Sequence, residues 1–511
     1  MLVWSLLSIS VYHYYSVSME RDSIVHQKHP ITIECIVMFL LLPIGGWLAD
    51  AYFGRYKVIH YGMWTMWLGS VLSTLSLVIA MVSTLYDRHG DPWISVFSKA
   101  VMGAGLGAFQ ANIIQFGIDQ LSEVSSTDIT HFVTWYSGML FAGGIILFFI
   151  GNCTTEYARI LVVNVCLTLA LCLNFLFSHL LVKEQANDNP LPLIWKILQY
   201  SIKHKSQWQR ILSLPKHRML SRFNVAKQIY GGPFTSEQVE DVKTFFRVIT
   251  IIATCVLACS GVVNVGYARV QLMTHLQNWP LRNDTSLASC YIKQSLTYSD
   301  YICVVIVFFS YKNIVQPLLY NVIPRVNITI RFLLSIFLFF IAILGLLGIE
   351  LAAYFHHTKI HCVYQGIDDR LNAGNQVVYT VKYHWIIIPG IAYGLFMFLF
   401  ILTGIEFICA QAPYNMKGLM LGIAYVIFGF GSLIQTAIST PFLYKQPEWE
   451  KAPLTCGIWY FMLQGVIVIV GFVVAVVMIK QYKLRERNSV PLQQSYIVSY
   501  EEHTKNKKTS S

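Results

Sequence analysis

Long apolar runs alternate with short polar breaks along this chain. Stretches long enough to cross a hydrocarbon core, which takes about 20 helical residues, fall at roughly 1–17, 31–52, 57–84, 95–117, 131–152, 158–182, 245–274, 299–321, 328–352, 385–412, 417–440 and 456–482. The pattern predicts twelve membrane helices, the first cut short. A long polar interval, 183–244, separates six segments from six. The expected units are an N-terminal helical bundle over 1–182, a cytosolic linker over 183–244, a C-terminal bundle over 245–482 and a polar, disordered tail over 483–511. The expected fold class is an all-α membrane protein.

Composition supports that reading. The chain is 55% hydrophobic and 12% charged, with mean hydropathy +0.54, whereas soluble proteins carry about 25% charged residues. The apolar opening 1–17 lacks a basic n-region and a small-residue cleavage site, so no cleavable signal is expected. The eleven cysteines form no CxxC pair and no metal spacing. Most (Cys35, Cys166, Cys172, Cys255, Cys259, Cys303 and Cys409) lie in apolar runs, as structural thiols do. No nucleophile–base pair or metal cluster appears, so neither an enzyme nor a bound metal is expected. The net charge of +11 reads as topology rather than nucleic-acid binding. With 183–247 and the tail inside, 23 of 37 Lys and Arg residues face the cytosol and 12 the outside, Arg269 and Lys312 remaining within apolar runs. That bias puts the C-terminus, and the N-terminal side of an intact first helix, in the cytosol. The sequon at Asn283 then falls outside, where a glycan can be added. A basic run with interspersed aromatics, Ile194 to Arg222, is either an amphipathic helix on the anionic inner leaflet or a solvated loop.

Two stretches carry chemistry. Gly45-Gly46-Trp47-Leu48-Ala49-Asp50 closes the second segment, followed by Gly54-Arg55-Tyr56-Lys57. The glycines allow close helix approach. Asp50 can face the positive N-terminus of another helix, with the eleventh segment, from near Gly418, as the candidate. Arg55 and Lys57 can pair with Asp50, and the group would work as a latch between the inner ends of two halves; the plainer alternative is a positive-inside turn. The other stretch is Gly404-Ile405-Glu406-Phe407, running into Gln411-Ala412-Pro413 and Lys417. A carboxylate inside an apolar run costs roughly 2.5–3.5 kcal/mol on insertion scales, so Glu406 needs a partner or a wet cavity. The proline should end the helix. Arg269 and Lys312 are candidate partners, unless each snorkels to an interface.

Two six-helix halves joined by a cytosolic linker is the layout of the major facilitator fold, with substrate bound between the halves at mid-membrane. Gly46-x3-Asp50-x3-Gly54-Arg55 resembles that superfamily's loop between helices 2 and 3. Further stretches resemble the proton-dependent oligopeptide transporter family, also called solute carrier family 15, and its peptide/histidine branch. They are Gly105 to Gln120, with its Ala111-Asn112 pair and Phe116-Gly117-Ile118-Asp119-Gln120 ending; Gly231-Gly232-Pro233-Phe234 with Val239 to Lys243; Gln316-Pro317-Leu318-Leu319; and Gly404 to Lys417. They span 45 to 420 in order.

The resemblance implies proton-driven, alternating-access transport of di- and tripeptides and, in this branch, histidine. Protons would be the coupling ion, with no other cofactor, and the protein a monomer in the plasma or endolysosomal membrane. Salt-bridge exchange between halves would couple protonation to movement. By position, Glu406, Asn112, Gln110, Tyr136, Asn264, Arg269 and Lys312 are the expected substrate- or proton-binding residues. The chain also departs from the family. The helix-1 Glu-x-x-Glu-Arg motif is missing; 1–17 resembles only the outer part of that helix, as in an incomplete first helix. Gln110 stands where the family has lysine. In the helix-5 motif that begins at Tyr136, Ser137 replaces an aromatic residue and Phe141 a peptide-contacting asparagine. The alternatives are therefore a transport-impaired member acting as a membrane scaffold or sensor, or an N-terminally incomplete transporter.

Overall fold

The computed structural model describes residues 33–85, 92–121, 126–152, 156–186, 189–204, 221–262, 265, 266, 268, 269, 272, 299–310, 328–355, 381–444 and 456–482. Segment 1–17, the Asn283 sequon and the tail lie outside them. Among the described residues there is no strand, only isolated bridges such as Lys227–Phe234. Helix α1 (Ile33–Leu48) runs into a π-helical turn, Ala49–Phe53. Next come α2 (Arg55–Leu85), α3 (Pro92–Asp119), α4 (Ser126–Asn152), α5 (Glu156–Leu176) and a shorter α6 (Pro190–Lys203). After them stand α7 (Ser236–Ala258), α8 (Ser299–Ser310), α9 (Ile328–Phe355), α10 (Ile387–Gln411), α11 (Lys417–Tyr444) and α12 (Cys456–Gln481).

Six stretches are long and apolar enough to cross a membrane: Ile36–Phe53, Trp93–Asp119, Ile328–Ala352, His384–Gln411, Lys417–Gln435 and Ile458–Gln481. α12 shows why they need lipid. Val466, Val470, Val473 and Val477 recur at helical spacing and are all exposed, a stripe that only hydrocarbon covers without cost. The chain is an integral, multi-pass membrane protein.

Helix limits follow local chemistry. α10 stops at Gln411 because Pro413 has no N–H to continue the ladder, and a 3₁₀ turn, Tyr414–Met416, leads into α11. α7 begins nine residues before the apolar run that predicts it. Thr235 caps it by accepting from Gln238 N while the Gln238 side chain accepts from Thr235 N, a reciprocal cap that starts a helix in polar sequence. Cys255, Cys259 and Cys409 are buried thiols as expected, whereas Cys172 is exposed.

α1 packs on α3 and α11, α2 on α3 and α5, and α4 on α8 and α10. In the second half α9 packs on α10 and α12, and α7 on α11 and α12. The first six apolar segments therefore meet the last six along two main seams, α1 with α11 and α4 with α8. The α1–α11 seam has almost no side chains around Gly46 and Gly422. A Cβ on Gly46 would stand 2.2 Å from Gly418 O, and one on Gly422 2.5 Å from Leu42 O. Small residues let two helices approach backbone to backbone.

Candidate functional site

The end of the α1–α11 seam at Asp50 and Gly418 gathers charge. Between α1 and α2 the chain makes a π turn, with Gly54 N donating to Ala49 O, and Gly54 sits at φ 77°. That left-handed conformation suits glycine, and a Cβ there would also meet Glu184 O at 2.7 Å. The turn aims Asp50, 2% exposed, at the first turn of α11, where Leu419 N donates to Asp50 Oδ2 at 3.0 Å. A helix N-terminus has unpaired N–H groups and partial positive charge, both matched by a carboxylate. Arg55 lies 3.4 Å from Asp50 Oδ1, hydrogen-bonds Asp119 at the end of α3, and comes within 3.6 Å of Glu184. Lys57 is exposed and makes no ion pair with Asp50; the group's further members are the carboxylates Asp119 and Glu184, which face Arg55. Asp119 stood in the sequence as the end of a matched motif, whereas nothing local marked Glu184. Glu184 lies outside the membrane spans. Burial first, then the Asp119 carboxylate, push its carboxyl up, while Arg55 and Lys417 pull it back.

The linker is stitched over this corner. Val182 N donates to Gln120 Oε1 while Gln120 Nε2 donates to Val182 O. Lys183 Nζ lies 4.7 Å from the centre of the Tyr56 ring, and Asn189 accepts from Trp47 Nε1 and donates to Tyr52 Oη.

Glu406 is fully buried on α10, and Arg331 Nη2 of α9 lies 2.7 Å from its Oε2, an ion pair without hydrogen-bond angles. This corrects the expected partner. Arg331 stood among the cytosolic bases, yet its side chain is 3% exposed, because its position one turn into α9 reaches α10. Arg269 is instead 2.7 Å from Asp300 on α8, both buried, so it neither pairs with Glu406 nor snorkels. Asp300 was missed because it opens the eighth segment, at its polar edge. Glu406 Oε1 has no hydrogen-bond partner among the described residues. Lys312 and Asn264 lie outside them.

The other expected site residues fall elsewhere. Asn112 is fully buried, its Nδ2 donating to Gly45 O and Ala108 O and tying α3 to α1, while its Oδ1 has no hydrogen-bond partner among the described residues. Gln110 Nε2 donates to Tyr425 Oη across the halves at 3.2 Å, and Gln115 Nε2 approaches Cys409 Sγ at 3.2 Å. Tyr136 stacks on Phe132 within α4. Phe141, 1% exposed, packs between Phe308 and Tyr301 of α8 and fills the second seam. The structure brings together Asp50, Arg55, Asp119 and Glu184 and, separately, two buried ion pairs, Arg269 with Asp300 and Arg331 with Glu406.

No family model matches the chain. Solute carrier family 15 member 3 of Rattus norvegicus is 19% identical over 477 residues, covering 84% of this chain and 80% of that protein. The solved structure of an auto-inhibited POT family peptide transporter superposes with TM-score 0.64 at 14% identity, covering 97% of this chain and 99% of that one. This chain is similar to proteins of the POT, or solute carrier 15, family. The POT family transporter PepTSo also gives TM-score 0.64, at 12% identity, over 94% of this chain and 97% of its own. A POT peptide transporter in complex with alafosfalin gives 0.56 at 14% identity, covering 94% of each chain. The fold is that of the POT transporters, the major facilitator arrangement.

Proposed function

We propose that this chain transports short peptides across a membrane by alternating access, with protons as the coupling ion and histidine as a further substrate. The observation that carries the reading is Glu406. It is a fully buried carboxylate held by Arg331, with its second oxygen unpartnered among the described residues. A buried carboxylate keeps its charge beside a guanidinium and takes a proton when that cation is withdrawn. The free oxygen suits a proton or a peptide amino group. The glycine-lined α1–α11 seam with its Asp50 cap supplies a contact that can close the inner side while the outer side opens. Relatives named as peptide transporters, one holding the peptide-like ligand alafosfalin, favour the substrate class.

A second reading has its own support. Phe141 seals the α4–α8 seam, and neutral Gln110 bonds Tyr425 where the family carries a lysine. Both suit a transport-impaired member acting as a scaffold or sensor. Uptake of labelled dipeptide and of histidine into liposomes, at outside pH of about 5.5 against about 7.4, separates the two. Uptake that rises at the lower pH and is abolished by Glu406→Gln supports transport. Absent uptake by a correctly inserted protein refutes it in favour of the second reading.

A further inference from the structure

Helix α6 carries three stripes rather than two. Pro190, Ile194, Ile197 and Ser201 are buried against the protein. One residue further on at each step lie Leu191, Trp195, Leu198 and Ile202, with Leu191 40%, Trp195 64% and Ile202 58% exposed. One further again lie Pro192, Lys196, Gln199 and Lys203. At 100° per residue these rows point in three directions. A helix packed on its own protein needs only the first apolar row. The second, with a large aromatic at its centre, faces away from the bundle beside a row holding two lysines.

The helix cannot roll to hide that row. Its N-cap, Asn189, is held by Trp47 and Tyr52, which flank the inner end of the membrane-spanning stretch Ile36–Phe53. Its C-terminal end is held by Arg222, whose Nε and Nη2 donate to Ser201 O and Ile202 O. The tie to Trp47 and Tyr52 sets the depth of the helix at the inner membrane boundary, where tryptophan and tyrosine belong.

We propose that α6 is a membrane-surface helix, seated on the inner leaflet of the bilayer that the protein spans. The row Leu191, Trp195, Leu198 and Ile202 enters the acyl boundary, and Lys196 and Lys203 engage anionic headgroups. An apolar face bordered by lysine is the composition that binds anionic interfaces, and each lysine near such a surface strengthens binding about fivefold. The surface is independent of what the protein transports.

The test uses the full chain in nanodiscs, with either anionic or purely zwitterionic lipid carrying a photoreactive acyl chain. Adducts are located by peptide mass spectrometry. Adducts at Trp195 and Ile202, alongside the lipid-facing control Val473, support the proposal; adducts at Val473 but none on α6 overturn it. A second arm compares Trp195→Cys with Gln199→Cys under a membrane-impermeant maleimide. In anionic nanodiscs the cysteine at 195 should react roughly tenfold more slowly than that at 199, and the protection should shrink in zwitterionic lipid or when Lys196 and Lys203 are changed to Glu. Equal rates at the two positions in anionic nanodiscs would mean that the row faces water or awaits a soluble partner, and would refute the assignment.

Discussion

Adding one methyl group at Gly46 should open the inner seam. The Cβ of Gly46→Ala would lie 2.2 Å from Gly418 O, 2.4 Å from Gly418 C and 2.9 Å from Leu419 N. All three are backbone atoms, so no rotamer change relieves the clash. Ordinary contact begins near 3.4 Å, so α1 and α11 must part by about 1.2 Å. The same displacement stretches the 3.0 Å bond from Leu419 N to Asp50 to about 4 Å, beyond hydrogen-bonding range. Overpacking costs about 1–3 kcal/mol, and a lost hydrogen bond to a buried charge about 1.5–3 kcal/mol. The terms overlap, since parting relieves one by incurring the other. The net cost to the closed α1–α11 contact is therefore about 2–4 kcal/mol, a population shift of roughly 30-fold or more. Cys409, buried against Gln115 between the halves, is a native reporter. Its alkylation by N-ethylmaleimide, followed by mass spectrometry, should speed up at least roughly tenfold in the variant. Gly348→Ala is the control, because a Cβ there meets nothing within 4 Å and alanine favours a helix over glycine by about 1 kcal/mol. If Gly46→Ala leaves both thermal stability and Cys409 reactivity at wild-type values, the backbone-contact argument fails.

Three further outcomes follow from the buried charges and amides. Arg269→Met strands Asp300 and should destabilise by about 3–5 kcal/mol, whereas Arg269→Met with Asp300→Leu should recover most of the loss; thermal unfolding of the three proteins tests this. Gln464 is fully buried with both amide atoms unpartnered among the described residues, so Gln464→Leu should unfold at an equal or higher temperature, and a clear fall would mean that the amide holds a bound water. Glu240 lies before the membrane span; burial raises its carboxyl, but hydrogen bonds from Lys227 and Lys243 outweigh this and hold it at about 2. A depressed carboxylate stabilises the fold fully above its unfolded value near 4.5 and progressively less as pH falls toward about 2, so the melting difference between wild type and Glu240→Gln should shrink across that window.

What the sequence made legible was whatever depends on local pattern. The apolar periods placed the membrane helices, Pro413 placed the end of α10 within a residue, and the glycines around Gly46 announced a close approach. The partner of Glu406 was not legible, because it depends on which helices pack together. Arg331 looked like one more positive-inside residue, and only the packing of α9 on α10 turns it inward. Asp300 was hidden in the same way at a segment edge. Asn112 shows the opposite failure. A polar residue in an apolar helix invites a cavity reading, yet its Nδ2 is spent on the carbonyls of Gly45 and Ala108, which ties two helices together. Glu184 shows a third limit, since a contact from a linker back to Arg55 leaves no periodic trace.

The placement of buried charge says how the halves can move. Arg269 with Asp300 and Arg331 with Glu406 both lie within the second half, and Arg55 with Asp50 and Asp119 lies within the first. The contacts described between the halves are mostly of another kind: backbone against glycine along α1 and α11, an amide on Tyr425, Gln115 on Cys409, Phe141 on Phe308, and one helix end on Asp50; the charge that crosses is Lys417 of α11, which acts on Asp119 and Glu184. Breaking a buried ion pair costs about 3–5 kcal/mol, whereas a neutral hydrogen bond contributes about 0.5–1.5 kcal/mol net. Parting α11 from α1 would therefore leave these three ion-pair groups with their own partners, giving up the Lys417 attraction and the Leu419–Asp50 hydrogen bond. Asp50 is the exception, and it is compensated, because Arg55 stays with it when α11 leaves. Any link between protonation and movement through Glu406 must work within the second half, by shifting α10 against α9 and so altering the face that α10 presents to α3 and α4.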